Sequence, residues 1–490
     1  MEKLNHYSEM RKQNRQSFLD SLQLNIIKKN DNKKLIMIPG IYYGGGCCYM
    51  ACRGLATAPM KDVLVITHGP VGCAYYSWDN NRTDTENQAL LSHRVHCFST
   101  DMNEKDIIFG GEEKLAKAIE EAINLYHPKV IAICATCPVG LIGDDIEKVA
   151  RLAEKKFGIP ILAHSCEGFK TIPGYKIADT TFINSIFGTA SRPVGQFPIN
   201  VVGEFYAGIN KQEVEPLLKS IGYDIVSALM GCTSYQELQC AHLAKLTVNG
   251  SDKQIDDIML LMQEKQGLTS IKVDFTGITN IICSLRSMAE YFGNPDLKMR
   301  TEAVIGAAAE AISEESNTYK QRFKGLKAAL FEDVFKSDHF QSMLADLGVD
   351  IIMISQDYSQ TEVTDEGFLF KFPAKLYDQA RDCSVLRGLV PQEKDAQLSC
   401  LLSRSQVKGL LGILQPDLCF KGIVEQFQYA GKGVQSRLFN SDERGVQYAG
   451  FKGFLRFARD LDMAIFSTHW ENDIPLWIKS TVEVLPNDNR

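Results

Sequence analysis

Short apolar runs alternate with amphipathic stretches through nearly the whole chain, the pattern of parallel sheets covered by helices. In the first third, Val63 to Thr67 and Val130 to Ala135 read as strands, and Ile161 to Ala163 follows a Gly-Ile-Pro turn as another. Between them Glu112 to Leu125 sets Leu115, Ile119 and Ile123 at helical spacing, and Ile146 to Phe157 reads as the next helix. A second cycle begins at Ile199 to Phe205. It runs through a strand over Asp224 to Leu229, a helix over Gln254 to Gln266, a strand over Ile271 to Phe275 and a helix from Ile278. Met299 to Phe323 is helical and polar and links this cycle to a third, with strands at Lys327 to Phe331, Ile351 to Ile354 and Asp417 to Phe420 and a last strong helix over Gly453 to Ala464. The pattern predicts an α/β fold of three units in series: a polar N-terminal extension over 1–36, then domains over 37–195, 196–322 and 323–490, the last ending in a helical segment.

A length of 490 residues suits about three domains. With 45% hydrophobic and 23% charged residues, 37 Gly and 16 Pro, the chain is neither fibrous nor largely disordered. The net charge is -7 and no Lys/Arg-rich run tracks phosphates, which speaks against nucleic-acid partners. No apolar stretch approaches the ~20 residues needed to span a bilayer, and Met1 to Lys34 lacks the apolar core of a signal peptide, so no membrane association and a cytoplasmic location are expected. Cysteine departs from the ordinary. There are 14, and seven fall between Cys47 and Cys137. In a reducing compartment such a surplus points to metal binding or chemistry more than to disulfides, although most single positions read as small buried hydrophobes.

In open α/β sheets the ligand crevice lies outside the carboxyl ends of the strands. Three cysteines fall in such places: Cys73 in the loop His68-Gly69-Pro70-Val71-Gly72-Cys73, Cys137 after the strand over 130–135 and before Pro138, and Cys47 in the glycine run Gly44-Gly45-Gly46-Cys47-Cys48. Thiolates on three loops suit an iron–sulfur cluster, and the glycines admit close backbone approach. A zinc ribbon would need paired Cys-x-x-Cys motifs, and Cys134 to Cys137 has no second pair to match it. No phosphate-binding Gly-x-x-x-x-Gly-Lys-Ser/Thr loop occurs, so ATP is not hydrolysed by this chain.

These segments resemble the α-type chain of the nitrogenase component 1 family. The resemblance rests on Gly46-Cys47, Ala58-Pro59-Met60-Lys61-Asp62, Thr67 through Cys73, Thr100 through Gly111, Cys137 through Asp145, Cys166-Glu167-Gly168-Phe169 and Gly453 through Asp460, in order over most of the chain. It implies three Rossmann-like α/β domains and a homologous β-type subunit, an α2β2 heterotetramer. It also implies an ATP-hydrolysing iron–sulfur reductase dimer as electron donor. Cys47, Cys73 and Cys137 are then this chain's half of an inter-subunit iron–sulfur cluster of the P-cluster type, [8Fe-7S] or [4Fe-4S].

Against the family pattern, the positions of the Cys and His that hold the iron–molybdenum-type cofactor fall on Ser251 and Ala449, neither of which replaces a thiolate or an imidazole on iron. The glycine-rich loop that packs on that cofactor is replaced by Glu332 through Lys336. The resemblance therefore implies a nitrogenase-like reductase acting on another small substrate, or alternatively a scaffold for iron–molybdenum cofactor assembly, to which Ser77-Trp78-Asp79-Asn80 and Tyr448-Ala449-Gly450-Phe451 are similar. A second iron–sulfur-type cofactor, if held, would take Cys232 as its thiolate, with His242 and His339 as candidate proton donors near it and Glu204 and Tyr206 reaching the same edge after the strand that begins at Ile199; Cys283 reads as helix core.

Overall fold

A computed structural model describes residues 47–57, 60–82, 97–169, 174–206, 208–231, 233–250, 256–331, 334–356, 368–371, 399–402, 416–421, 437–440 and 448–466. Their elements, in chain order, begin with α1 (Cys48–Ala51), a π-helical turn (Cys52–Thr57), β1 (Val63–His68), α2 (Val71–Arg82), β2 (Phe98–Ser99), α3 (Glu104–Phe109), α4 (Glu112–Tyr126), β3 (Val130–Ala135), α5 (Cys137–Ile142), α6 (Ile146–Phe157), β4 (Ile161–His164) and α7 (Gly174–Ser185). The next group is β5 (Phe197–Val202), α8 (Gly208–Ile221), β6 (Tyr223–Leu229), α9 (Tyr235–Gln239), β7 (Leu246–Gly250), α10 (Asp256–Gln266), β8 (Ser270–Val273), α11 (Ile278–Phe292) and α12 (Pro295–Phe323). The last is β9 (Lys327–Phe331), α13 (Val334–Asp346), β10 (Asp350–Gln356), β11 (Phe368–Lys371), β12 (Ser399–Leu402), β13 (Leu418–Lys421), β14 (Arg437–Asn440) and α14 (Phe451–Phe466). Described residues within 37–313 and 443–454 form one compact unit, and those within 314–442 and 455–490 another.

The α/β class expected from the apolar runs is observed, in three sheets. The first has the order β2-β1-β3-β4 and the second β6-β5-β7-β8, and both are wholly parallel. The third, β12-β11-β10-β9-β13-β14, is parallel except that β11 runs against both of its neighbours. β1 and β3 read as unbroken apolar runs because every residue in them is buried. Val63, Val65, Val130, Ala132 and Cys134 face one apolar layer, and Leu64, Ile66, Ile131, Ile133 and Ala135 the other.

The helices that cover this sheet carry their own stop signals. Asp145 caps α6 by accepting from the Lys148 amide at 2.9 Å, and Gly158 ends that helix in the left-handed region. α3 begins at a capping box between Asn103 and Asp106. In the second sheet the apolar run predicted from Ile199 to Phe205 stops as a strand at Val202 and turns through a 3-10 segment, Glu204–Tyr206. Similarly β8 ends at Val273, and Phe275 leaves the strand to stack on Phe205 at 5.1 Å. In the other unit Phe323 stacks on Phe466, and Arg459 makes a two-pronged pair with Glu315 at 2.7 and 2.9 Å. Among the described residues no helix is long and apolar enough to cross a membrane.

Candidate metal centre

In the first sheet the strand order turns back between β1 and β3, since β2 lies beyond β1 and β4 beyond β3. Loops leaving the two strands at such a point diverge and open a crevice. Cys73 follows β1 and Cys137 follows β3, so they flank that crevice from opposite sides. Cys73 is not in a loop: it sits in the first turn of α2, where its amide donates to the Pro70 carbonyl at 3.1 Å. Cys137 opens α5, with Pro138 in the first turn, where a missing N–H costs nothing.

Cys47 and Gly168 complete the cluster. A Cβ placed on Gly168 would lie 2.9 Å from the Cys137 Sγ, 3.3 Å from the Cys47 Cβ and 3.7 Å from the Cys47 Sγ, so both side chains crowd the same glycine. The Gly168 amide donates to the Cys137 Sγ at 3.2 Å. Burial raises the Cys73 thiol, and the proximity of Cys47 and Cys137 raises it further. All three cysteines are half-buried, which leaves the set open on one side.

The protein holds this arrangement through a second layer of contacts. The buried Tyr49 hydroxyl is bonded to the Thr67 hydroxyl of β1 at 2.6 Å and to the Ser77 hydroxyl of α2 at 2.9 Å, tying the segment that follows Cys47 to both elements around Cys73. Burial pushes the Tyr49 hydroxyl well above its ordinary pKa, so it remains a donor. Ser77 in turn donates to the Cys73 and Ala74 carbonyls at 3.0 and 3.1 Å.

At the end of β1, His68 is fully buried, with Nδ1 3.1 Å from the Thr100 hydroxyl and Nε2 3.1 Å from Asp144, and Asp144 also accepts from the Gly111 amide. Burial lowers the His68 pKa against the opposing pull of Asp144. Gly69 passes so close to Thr136 that a Cβ there would fall 1.9 Å from the Thr136 Oγ1. Three sulfurs on a half-open rim, one already receiving a backbone N–H, are the donor set that an iron–sulfur cluster takes.

The other expected positions behave differently. Cys232 and Ser251 lie outside the described residues, as do Glu332 and Asp333. Ala449 is fully buried, forms an isolated bridge with Thr276, and donates its amide to the Asn210 Oδ1 at 3.1 Å. Cys283 lies on α11 as expected, but it is exposed; the helix buries Ile281, Ser284 and Leu285 instead. Tyr206 is a fully buried core residue. His242 precedes β7, at the edge of the second sheet opposite its strand ends, and His339 falls in α13. Glu204 opens the 3-10 turn after β5.

Sequence reasoning missed the Gly168 donor. It also missed a buried group, Cys52, Cys134 and Cys166, whose sulfurs lie within 4.8 Å of one another. The alternation of β3 could have shown that Cys134 faces the same layer as Val130 and Ala132.

Comparison with known proteins gives a consistent picture. The family model described as nitrogenase component 1 type oxidoreductase matches residues 47–466. The nitrogenase molybdenum-iron protein alpha chain of Clostridium pasteurianum is 33% identical over 482 residues, covering 91% of this chain and 90% of that one. The nitrogenase iron-molybdenum cofactor biosynthesis protein NifE of Methanococcus maripaludis is 31% identical over 437 residues, covering 88% and 85%. A solved structure described as nitrogenase Cp1 at pH 5 matches with a TM-score of 0.70 at 32% identity and 93% coverage of both chains.

Proposed function

Because the chain belongs to the nitrogenase component 1 type oxidoreductase family, we propose that it is the α-type subunit of a nitrogenase-like iron–sulfur reductase whose Cys47, Cys73 and Cys137 hold its share of a P-cluster-type cluster. The observation that carries this reading is the convergence of Cys47 and Cys137 on Gly168 with Cys73 close to both. When bound, such a cluster relays electrons one at a time. The chain's own residues set its surroundings. The Gly168 amide donates to the Cys137 sulfur and would fix its direction in such a cluster, and burial with the neighbouring Cys47 and Cys137 raises the Cys73 thiol.

A half-open set of donors fits a cluster completed from a second chain. The exposed apolar side chains beside it, Val71, Tyr75, Tyr76, Leu141 and Phe169, fit a covering partner, the homologous β-type subunit. Electrons would come from a separate ATP-hydrolysing iron–sulfur reductase.

Ser251 and Ala449 stand where the family's cofactor ligands are expected, and a buried methyl group offers no donor to iron, so the substrate is a small molecule other than dinitrogen. A second reading, a scaffold for iron–molybdenum cofactor assembly, is favoured by the resemblance to NifE over 88% of the chain. Anaerobic co-purification with the β-type subunit, with iron, sulfide and molybdenum analysis and EPR, separates them. A single bridging cluster that is reduced in an ATP-dependent way and passes electrons to a substrate supports the reductase. A complex that binds and releases a molybdenum-containing cluster without turnover overturns it in favour of the scaffold.

A further inference from the structure

We propose that Cys52, Cys134 and Cys166 form a separate metal site inside the first sheet's core, which takes one zinc ion with His164 as the fourth donor. All three cysteines are fully buried, and none belongs to the half-open set. Cys134 lies on β3 facing the apolar layer of Val63, Val65, Val130, Ala132 and Leu162; Cys52 opens the π-helical turn, and Cys166 follows β4, all in that same layer. Their sulfurs lie within 4.8 Å of one another. A zinc–sulfur bond of about 2.3 Å brings tetrahedral sulfurs to roughly 3.8 Å apart, so closing the three sulfurs on the ion asks for about 1 Å of movement or less. The His164 nitrogens lie outside that 4.8 Å group, so the imidazole must turn toward the ion as it binds.

Without an ion, the trio is poorly satisfied. The Cys166 thiol reaches the Ala135 carbonyl at 3.5 Å and the Thr57 hydroxyl lies 3.9 Å from the Cys134 Sγ; the other contacts run between thiols, which are weak donors and acceptors.

His164 supplies the independent observation. It is the register partner of Cys134 across the parallel pair β3–β4, so the two side chains leave the same face of strands about 4.8 Å apart. The imidazole is fully buried, edge-on to Phe182 at 5.6 Å, and among the described residues neither of its ring nitrogens has a hydrogen-bond partner. A buried ring with two unmet nitrogens is costly, and a metal bond satisfies one of them.

Charge selects the ion. Three thiolates and a neutral imidazole around a divalent cation leave one net negative charge in the apolar layer, whereas a monovalent soft cation would leave two. Among divalent ions zinc binds such a set more tightly than iron and prefers its tetrahedral geometry. Binding releases the thiol protons to solvent, and no electron moves.

The full-length chain, purified anaerobically after expression with added zinc, is analysed for metals and by zinc-edge X-ray absorption. About one tightly held zinc per chain with a shell of three sulfurs and one nitrogen is expected. Cys134→Ser should lower zinc at least tenfold and leave iron in place, and Cys73→Ala should do the reverse. Zinc below about a tenth of the chain concentration, an oxygen-rich shell, or zinc retained in folded Cys134→Ser overturns the proposal. If Cys134→Ser does not fold, the wild-type absorption spectrum decides alone.

Discussion

Gly69 stands where two strands' exits meet, and Gly69→Ala is expected to separate the two cysteines that flank the crevice. An added Cβ would fall 1.9 Å from the Thr136 Oγ1 and 2.8 Å from its Cβ and Cγ2, so Thr136 must retreat by more than 1 Å. Turning the side chain does not help, because its Cβ is itself too close. Thr136 is held by its amide and its hydroxyl, both donating to the His68 carbonyl at 3.0 Å, and it is the residue that leads into Cys137. Overpacking a buried site costs about 1–3 kcal/mol and loss of a buried hydrogen bond a similar amount, so a destabilisation of about 2–4 kcal/mol is expected. Because the retreat carries Cys137 away from Cys73, iron per complex should fall several-fold even in the fraction that folds. Urea unfolding gives the first quantity and metal analysis of the anaerobically purified complex the second. Wild-type unfolding and wild-type iron in Gly69→Ala would refute the argument that this contact fixes the spacing.

Other perturbations probe different forces. Cys73→Ala should cut bound iron several-fold while the far-ultraviolet circular dichroism stays unchanged; a collapse of the helical signal would show that the thiol is needed for folding instead. Asp179 is fully buried, neither carboxylate oxygen has a hydrogen-bond partner among the described residues, and burial raises its pKa well above the usual carboxylate range, so the folded state keeps the proton that the unfolded chain loses above about pH 4. Wild-type stability therefore falls with rising pH by up to about 1.4 kcal/mol per unit until the folded pKa is reached, and Asp179→Asn should gain on it from pH 5 to pH 7 in urea titrations; a constant gap sinks the idea. Arg459→Ala removes a largely exposed pair with Glu315 and should cost less than about 1 kcal/mol despite the two-pronged geometry, as thermal unfolding will report.

The strands and helices of the first sheet were legible because burial on both faces writes itself as an unbroken apolar run: β3 and α6 have the limits that their sequence suggested. β7 was not read, since Leu246-Thr247-Val248 is brief and flanked by Lys245 and Asn249-Gly250. α2 was hidden for a different reason: Val71-Gly72-Cys73-Ala74-Tyr75-Tyr76 has no amphipathic stripe, and tertiary contacts, not periodicity, make it helical. Of the candidate site, placement after strand ends brought out Cys73 and Cys137, because chain direction alone decides which edge a residue reaches. The relation of Cys134 to His164 was invisible, because it depends on the register between strands separated by a whole helix.

The bond of the Tyr49 hydroxyl to both Thr67 and Ser77 bears on the order of events when the protein is loaded with metal. It anchors the stretch after Cys47 to β1 and α2 by contacts that involve no thiol, so on the proposed reading the three cysteines would be gathered by the polypeptide before any ion arrives. Acquisition is then a capture event: its rate should rise in proportion to the concentration of the iron donor, with no lag from a folding step. A Tyr49→Phe chain, released from that anchor, should show the lag.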